Sequence, residues 1–101
     1  YELIKGDVLK TIPAYLKKNP KMKISLLNVD IDFVETTKCV LDNFYNRVSK
    51  GGIILFDNFE GIGTGGTFYK GETDTINKFL KKNNKKIIKF PFFNRPSYII
   101  K

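Results

Sequence analysis

The chain has 101 residues, a hydrophobic share of 42%, an aromatic share of 14% and a net charge of +8. These values describe one small globular domain and exclude a disordered chain, and no apolar run approaches the ~20 residues that a membrane helix needs. Cys39 is the only cysteine and there is no histidine, so an internal disulfide, a Ser-His-Asp triad and a histidine-based zinc site are all excluded within this sequence.

In chain order, Glu2-Leu3-Ile4-Lys5 reads as an apolar strand closed by a Gly6-Asp7 turn, without the long apolar stretch of a secretory signal. Thr11 then caps a short helix with Pro13 in its first turn and Ile12, Tyr15 and Leu16 on one face; Asn19-Pro20 ends it. Ile24 to Val29 reads as a buried strand ending at Asp30. Asp32 and Glu35 have capping-box spacing. They open a helix with Val40, Leu41, Phe44 and Val48 on one face, and Gly51-Gly52 ends it. Ile53 to Phe56 is a second buried strand, ending at Asp57-Asn58.

A glycine-rich loop, Gly61 to Gly71, precedes a third helix with Ile76, Phe79 and Leu80 on its apolar face. Two strands follow, Ile87 to Phe90 and Ser97 to Ile100, and their short link, Pro91 to Pro96, suits an antiparallel hairpin. The predicted order is β-α-β-α-β-α-β-β: an α/β fold, one domain over 1–101, with a mainly parallel sheet closed by an antiparallel hairpin.

Charge is distributed unevenly. Residues 1–74 carry ten basic and ten acidic groups, whereas residues 75–101 carry eight basic groups and no acidic one. Such a patch attracts nucleic acid, anionic lipid or a phosphorylated substrate. The run Lys81-Lys82-Asn83-Asn84-Lys85-Lys86 also makes a good helix terminus, and that is the favoured reading.

Ligands of open α/β sheets bind beyond the carboxyl ends of the strands. That rule lines Gly6-Asp7, Asp30, Asp32, Asp57 and Asn58 along one rim. Two carboxylates and an amide carbonyl, from Asp30, Asp57 and Asn58, are hard oxygen donors suited to Mg²⁺. The same residues also serve well as turn and helix caps, the preferred role for Asp32. Gly61-x-Gly63-x-x-Gly66 formally matches a dinucleotide fingerprint, but loose spacing before the helix argues for a mobile loop, a lid beside the rim. The link Phe90-Pro91-Phe92-Phe93-Asn94-Arg95-Pro96 has the aromatics and arginine that stack on bases or sugars; such segments more often cover their own core or a subunit contact.

Lys5-Gly6, Thr11-Ile12-Pro13 and the run from Leu26 to Thr37 resemble the macrocin O-methyltransferase (TylF-type) family. So do Leu41 to Tyr45 and Ser49 to Asn58. The resemblance covers about Lys5 to Leu80. It implies a partial Rossmann-like methyltransferase sheet, S-adenosylmethionine and Mg²⁺ as cofactors, and a small hydroxylated, sugar-like substrate. Carried over, Asp30 is the first metal ligand and the catalytic base, and Asp57 is the second ligand. Asn58 stands where the family usually has another aspartate. Gly6 and Asp7 follow the strand nearest the cofactor's adenine.

The glycine loop and the ribose-gripping acid of the family lie N-terminal to the matched segment. The expectation is therefore a C-terminal half, inactive alone, with the Tyr98 strand inserted antiparallel between the Ile54 and Ile88 strands. The Leu3 strand is expected to pair with the Leu26 strand or with another molecule, which makes the open edge a route to a homo-oligomer. Expected surroundings are cytoplasmic, with no membrane and no nucleic-acid partner. The alternatives are a nucleic-acid-binding module or a catalytically dead methyltransferase-like scaffold.

Overall fold

The computed structural model describes residues 1–60, 70–93 and 95–101. In chain order they form α1 (Val8–Lys18), β1 (Ile24–Val29), α2 (Val34–Phe44), a 3₁₀ turn (Tyr45–Arg47), β2 (Val48–Phe56), α3 (Lys70–Lys82), β3 (Ile88–Lys89) and β4 (Ser97–Ile100). The sheet order is β1-β2-β4-β3. β1 and β2 are parallel, and β4 lies antiparallel to both β2 and β3. The expected insertion of the Tyr98 strand is thus present, and β3 runs in the direction of β1 and β2.

Alternation along the strands sorts their side chains into two sets. Leu27, Ile54 and Ile99 are in register across the sheet, as are Val29, Phe56 and Ser97. This face meets Ile12 and Leu16 of α1, Val40 and Leu41 of α2, and Ile76 and Leu80 of α3, forming the core. The opposite face carries Leu26, Ile53 and Ile100 in register, and all three are exposed.

Four local expectations are corrected. Residues 2–5 form no strand: they run straight into α1, and Leu3 is exposed. Tyr15 Oη donates to Glu2 Oε2 at 3.2 Å; that bond, with the carboxylate's charge, raises the tyrosine pKa. α1 is capped four residues before the expected cap at Thr11, because Asp7 is the stronger cap: its Oδ1 accepts from Leu9 N at 3.0 Å. Pro13 consequently lies inside the helix rather than in its first turn.

α2 has Phe33 at its N-cap with no side-chain cap bond, since the Asp32 carboxylate is engaged elsewhere. Finally, α2 stops at Phe44, and Val48, Gly51 and Gly52 belong to β2. Between Ile24↔Val48 and Leu26↔Ile53 the register shifts, so β2 bulges. Gly51 takes φ +82 there, and a Cβ on Gly52 would lie 2.8 Å from Ser49 O. The glycine pair is required by the bulge and does not end the helix.

α3 begins at Lys70, so Gly71 lies in its first turn; the remainder of the expected lid and the Gly61, Gly63 and Gly66 pattern fall outside the described residues. At the other end Asn84 takes φ 51, Lys85 N donates to Leu80 O at 2.9 Å, and Asn83 Nδ2 donates to Phe79 O. The lysine- and asparagine-rich run thus closes a helix. No helix among the described residues is long and apolar enough to cross a membrane.

Candidate functional site

Asp30 and Asp57 are the residues immediately after β1 and β2. The last ladder partners are Val29 and Phe56, and Asp57 N donates to Val29 O at 3.0 Å, extending the parallel pairing by one step. The backbone therefore brings the two aspartates side by side at the carboxyl ends of adjacent parallel strands, where α/β sheets bind ligands.

Asn58 fixes the loop between them. It is 4% exposed, and its Nδ2 donates to Ile31 O at 2.9 Å and to Asp32 Oδ1 at 3.0 Å. Two acceptors facing one nitrogen determine which way the amide is turned. They also explain why an amide stands here: a carboxylate would face a carbonyl and a second carboxylate with nothing to donate. With the nitrogen turned inward, Oδ1 is left, and it accepts no hydrogen bond among the described residues. Asp32, read from sequence as a helix cap, instead buttresses the rim through Asn58.

The β2–α3 connection is anchored as well. Phe59 is buried in the core cluster, Glu60 N donates to Thr73 Oγ1 at 3.0 Å, and the Glu60 carboxylate pairs with Lys89 of β3. Glu60 takes φ 51, the left-handed region. Across the rim, the Arg95 guanidinium lies 3.8 Å from Asp57 Oδ2. Residue spacing gave no signal for the Asn58–Asp32 tie or for the Arg95 approach, because both are contacts between segments far apart in the chain.

Gly6 and Asp7 are not tied to this rim. Gly6 has φ +139 and Asp7 caps α1; among the described residues no hydrogen bond or ion pair links Asp7 to Asp30, Asp57 or Asn58. No three His, Cys, Asp or Glu side chains are grouped to hold a metal among the described residues. A cation at this rim would need Asn58 Oδ1 beside the two carboxylates, which is a chemically suitable set of hard oxygen donors.

The family model for macrocin-O-methyltransferase (TylF) matches residues 2–85. Among solved structures, a crystal structure of CalS11, a calicheamicin methyltransferase, is 32% identical with a TM-score of 0.82 and is covered over 36% of its length by 97% of this chain. The apo structure of CalS11, described as a TDP-rhamnose 3′-O-methyltransferase of calicheamicin biosynthesis, is also 32% identical. It has a TM-score of 0.80, with 97% of this chain covering 40% of that one. The O-methyltransferase NovP, at 21% identity and a TM-score of 0.64, shares the fold, with 78% of this chain covering 30% of that one. The chain thus spans well under half the length of these proteins. No curated protein matches it by sequence. With 2–85 matched by the family model, the chain belongs to the macrocin-O-methyltransferase (TylF) family.

Proposed function

We propose that the chain carries the acceptor-side rim of an S-adenosylmethionine-dependent O-methyltransferase acting on a sugar hydroxyl. The observation that carries this reading is the side-by-side placement of Asp30 and Asp57 at the ends of β1 and β2, braced by Asn58. CalS11, the similar structure, is a methyltransferase of a nucleotide-linked sugar. In the reaction, the acceptor oxygen bonds to the methyl carbon as the carbon–sulfur bond breaks; sulfur keeps the electron pair. Asp30 takes the hydroxyl proton as base.

Mg²⁺, held by Asp30, Asp57 and Asn58 Oδ1, would lower the pKa of the acceptor hydroxyl. Asn58 keeps the strand-end loops in place through its bonds to Ile31 and Asp32, and so preserves the alignment on which transfer depends. The Gly6-Asp7 turn is the segment we assign to the cofactor's side, with Asp7 Oδ2 left over by the helix cap. The outer edge of β1 has no neighbouring strand among the described residues, which makes it the route for pairing with a second copy. The free thiol of Cys39 suits the cytoplasm.

The test is methyl transfer from labelled S-adenosylmethionine to nucleotide-linked and glycosidic sugars by the intact protein, with added Mg²⁺ or with a chelator. We expect label on a sugar oxygen, lost on chelation, and a fall in kcat of about 10²–10⁴-fold in Asp30→Asn. Undiminished transfer by Asp30→Asn would remove the base from Asp30, and transfer undiminished by chelation would remove the metal.

A further inference from the structure

The link between β3 and β4 is the sequence feature that the rim does not use. At its base Phe90 packs on Tyr98, with ring centroids 5.0 Å apart and tilted 38°. Beyond it, Phe92 is 88% exposed and Phe93 69% exposed. The aromatics at the tip therefore do not fold over the core of this chain, the more common role for such a segment. Two exposed rings, close in sequence to Arg95, offer faces on which a base can stack.

Arg95 follows within the same link. Its guanidinium approaches Asp57 at 3.8 Å, the outer limit of an ion pair, and both side chains are substantially exposed. Such a pair contributes little and is readily exchanged. Among the described residues Arg95 has only this long approach to Asp57, and its guanidinium carries five donors. The nearby Lys89 differs, because it is paired with Glu60. An anionic ligand approaching a rim of Asp30, Asp32 and Asp57 is repelled unless cations receive it, and Arg95 brings a side-chain cation to the Asp57 end of that rim, whether or not a metal ion is held between the aspartates. A guanidinium fork suits the two oxygens of a phosphate.

We propose that the β3–β4 link is the docking element for the nucleoside diphosphate part of a nucleotide-linked sugar. Arg95 receives the phosphates, Phe92 and Phe93 stack on the base, and the sugar extends toward Asp57. This rests on the methyltransferase reading only in that the sugar must reach the rim; the docking itself is measured without turnover.

The experiment is calorimetry on the intact protein with thymidine diphosphate, thymidine and inorganic pyrophosphate as separate probes, paired with size-exclusion chromatography. Arg95→Ala should weaken thymidine diphosphate and pyrophosphate by about 10–100-fold and leave thymidine unchanged. Arg95→Lys should restore only part of the loss, because it lacks the fork. The double change Phe92→Ser with Phe93→Ser should weaken thymidine diphosphate by about tenfold or more and leave pyrophosphate unchanged.

Equal affinity of wild type and Arg95→Ala for thymidine diphosphate overturns the proposal. So does an oligomer that dissociates in the double phenylalanine variant with thymidine diphosphate affinity intact, which would make the link a subunit contact. Transfer to an unphosphorylated acceptor with no diphosphate binding sinks this inference and leaves the methyltransferase reading standing. Diphosphate binding that depends on Arg95, with no transfer to any sugar, does the reverse.

Discussion

The two faces of the sheet differ sharply, although their residues are alike. On the covered face Ile54, Phe56 and Ile99 are each 0% exposed. On the other, Leu26 is 59%, Ile53 36% and Ile100 48% exposed, in one register row. An antiparallel sheet with one wet face would alternate apolar and polar residues; β2 instead runs Ile53-Ile54-Leu55-Phe56, the pattern of a strand covered on both sides. The residues of the open face are thus those of a buried layer, and the similar CalS11 structures are more than twice as long as this chain. Helix contacts stabilise one face, while the strand-end rim between the faces depends on local ties such as Asn58.

Substitutions separate these contributions, and the largest effect is expected on the covered face. Phe56→Ala should cost about 3–5 kcal/mol, read as a lowered denaturant midpoint at unchanged slope, because the site is fully enclosed. A cost below ~1 kcal/mol would mean that the core is not where the helices place it. At the rim, Asn58→Asp should cost about 1–3 kcal/mol, since it removes the donor shared by Ile31 O and Asp32 Oδ1.

The sign of its pH dependence follows from the same contacts. The new carboxylate is favoured in its protonated form, which can donate, so its folded pKa is raised. The variant should approach wild-type stability at low pH and lose stability as pH rises through that pKa. A pH-independent difference between the two proteins would contradict the tie to Asp32. The smallest effect is expected on the open face: Leu26→Ala in this chain should shift stability by no more than about 0.5 kcal/mol. A loss as large as that of Phe56→Ala would show that the open face is covered in solution.

Much of the architecture was legible because apolar runs and their stops carry it. The runs Ile24–Val29 and Ile53–Phe56 read as strands and are strands, and Ile76, Phe79 and Leu80 mark the inner face of α3. The misreadings share one cause: local signals have more than one use. Glu2–Lys5 has strand composition but forms no ladder with the open edge of β1 or with any other strand among the described residues. Val48 falls at helical spacing from Phe44 by coincidence, and Gly51-Gly52 suits a helix end as well as the bulge that it forms.

At the site, the adjacency of Asp30 and Asp57 could be read from strand ends alone. The role of Asp32 could not, because a cap and a buttress differ only in which partner the carboxylate meets, and that partner lies 26 residues away. The approach of Arg95 to Asp57 was hidden for the same reason.

The methyl-transfer reading requires Asp30, Asp57 and Asn58 to form one cation site. Its most direct measurement is paramagnetic broadening of backbone amide NMR signals on titrating the intact protein with Mn²⁺ as a substitute for Mg²⁺. The predicted result is broadening centred on Asp30, Asp57 and Asn58, reversed by excess Mg²⁺ and abolished in Asp57→Asn while the remaining spectrum is preserved. Broadening that spreads instead over carboxylates away from the rim, such as Glu35, Asp42 and Asp74, and that persists unchanged in Asp57→Asn, would contradict it.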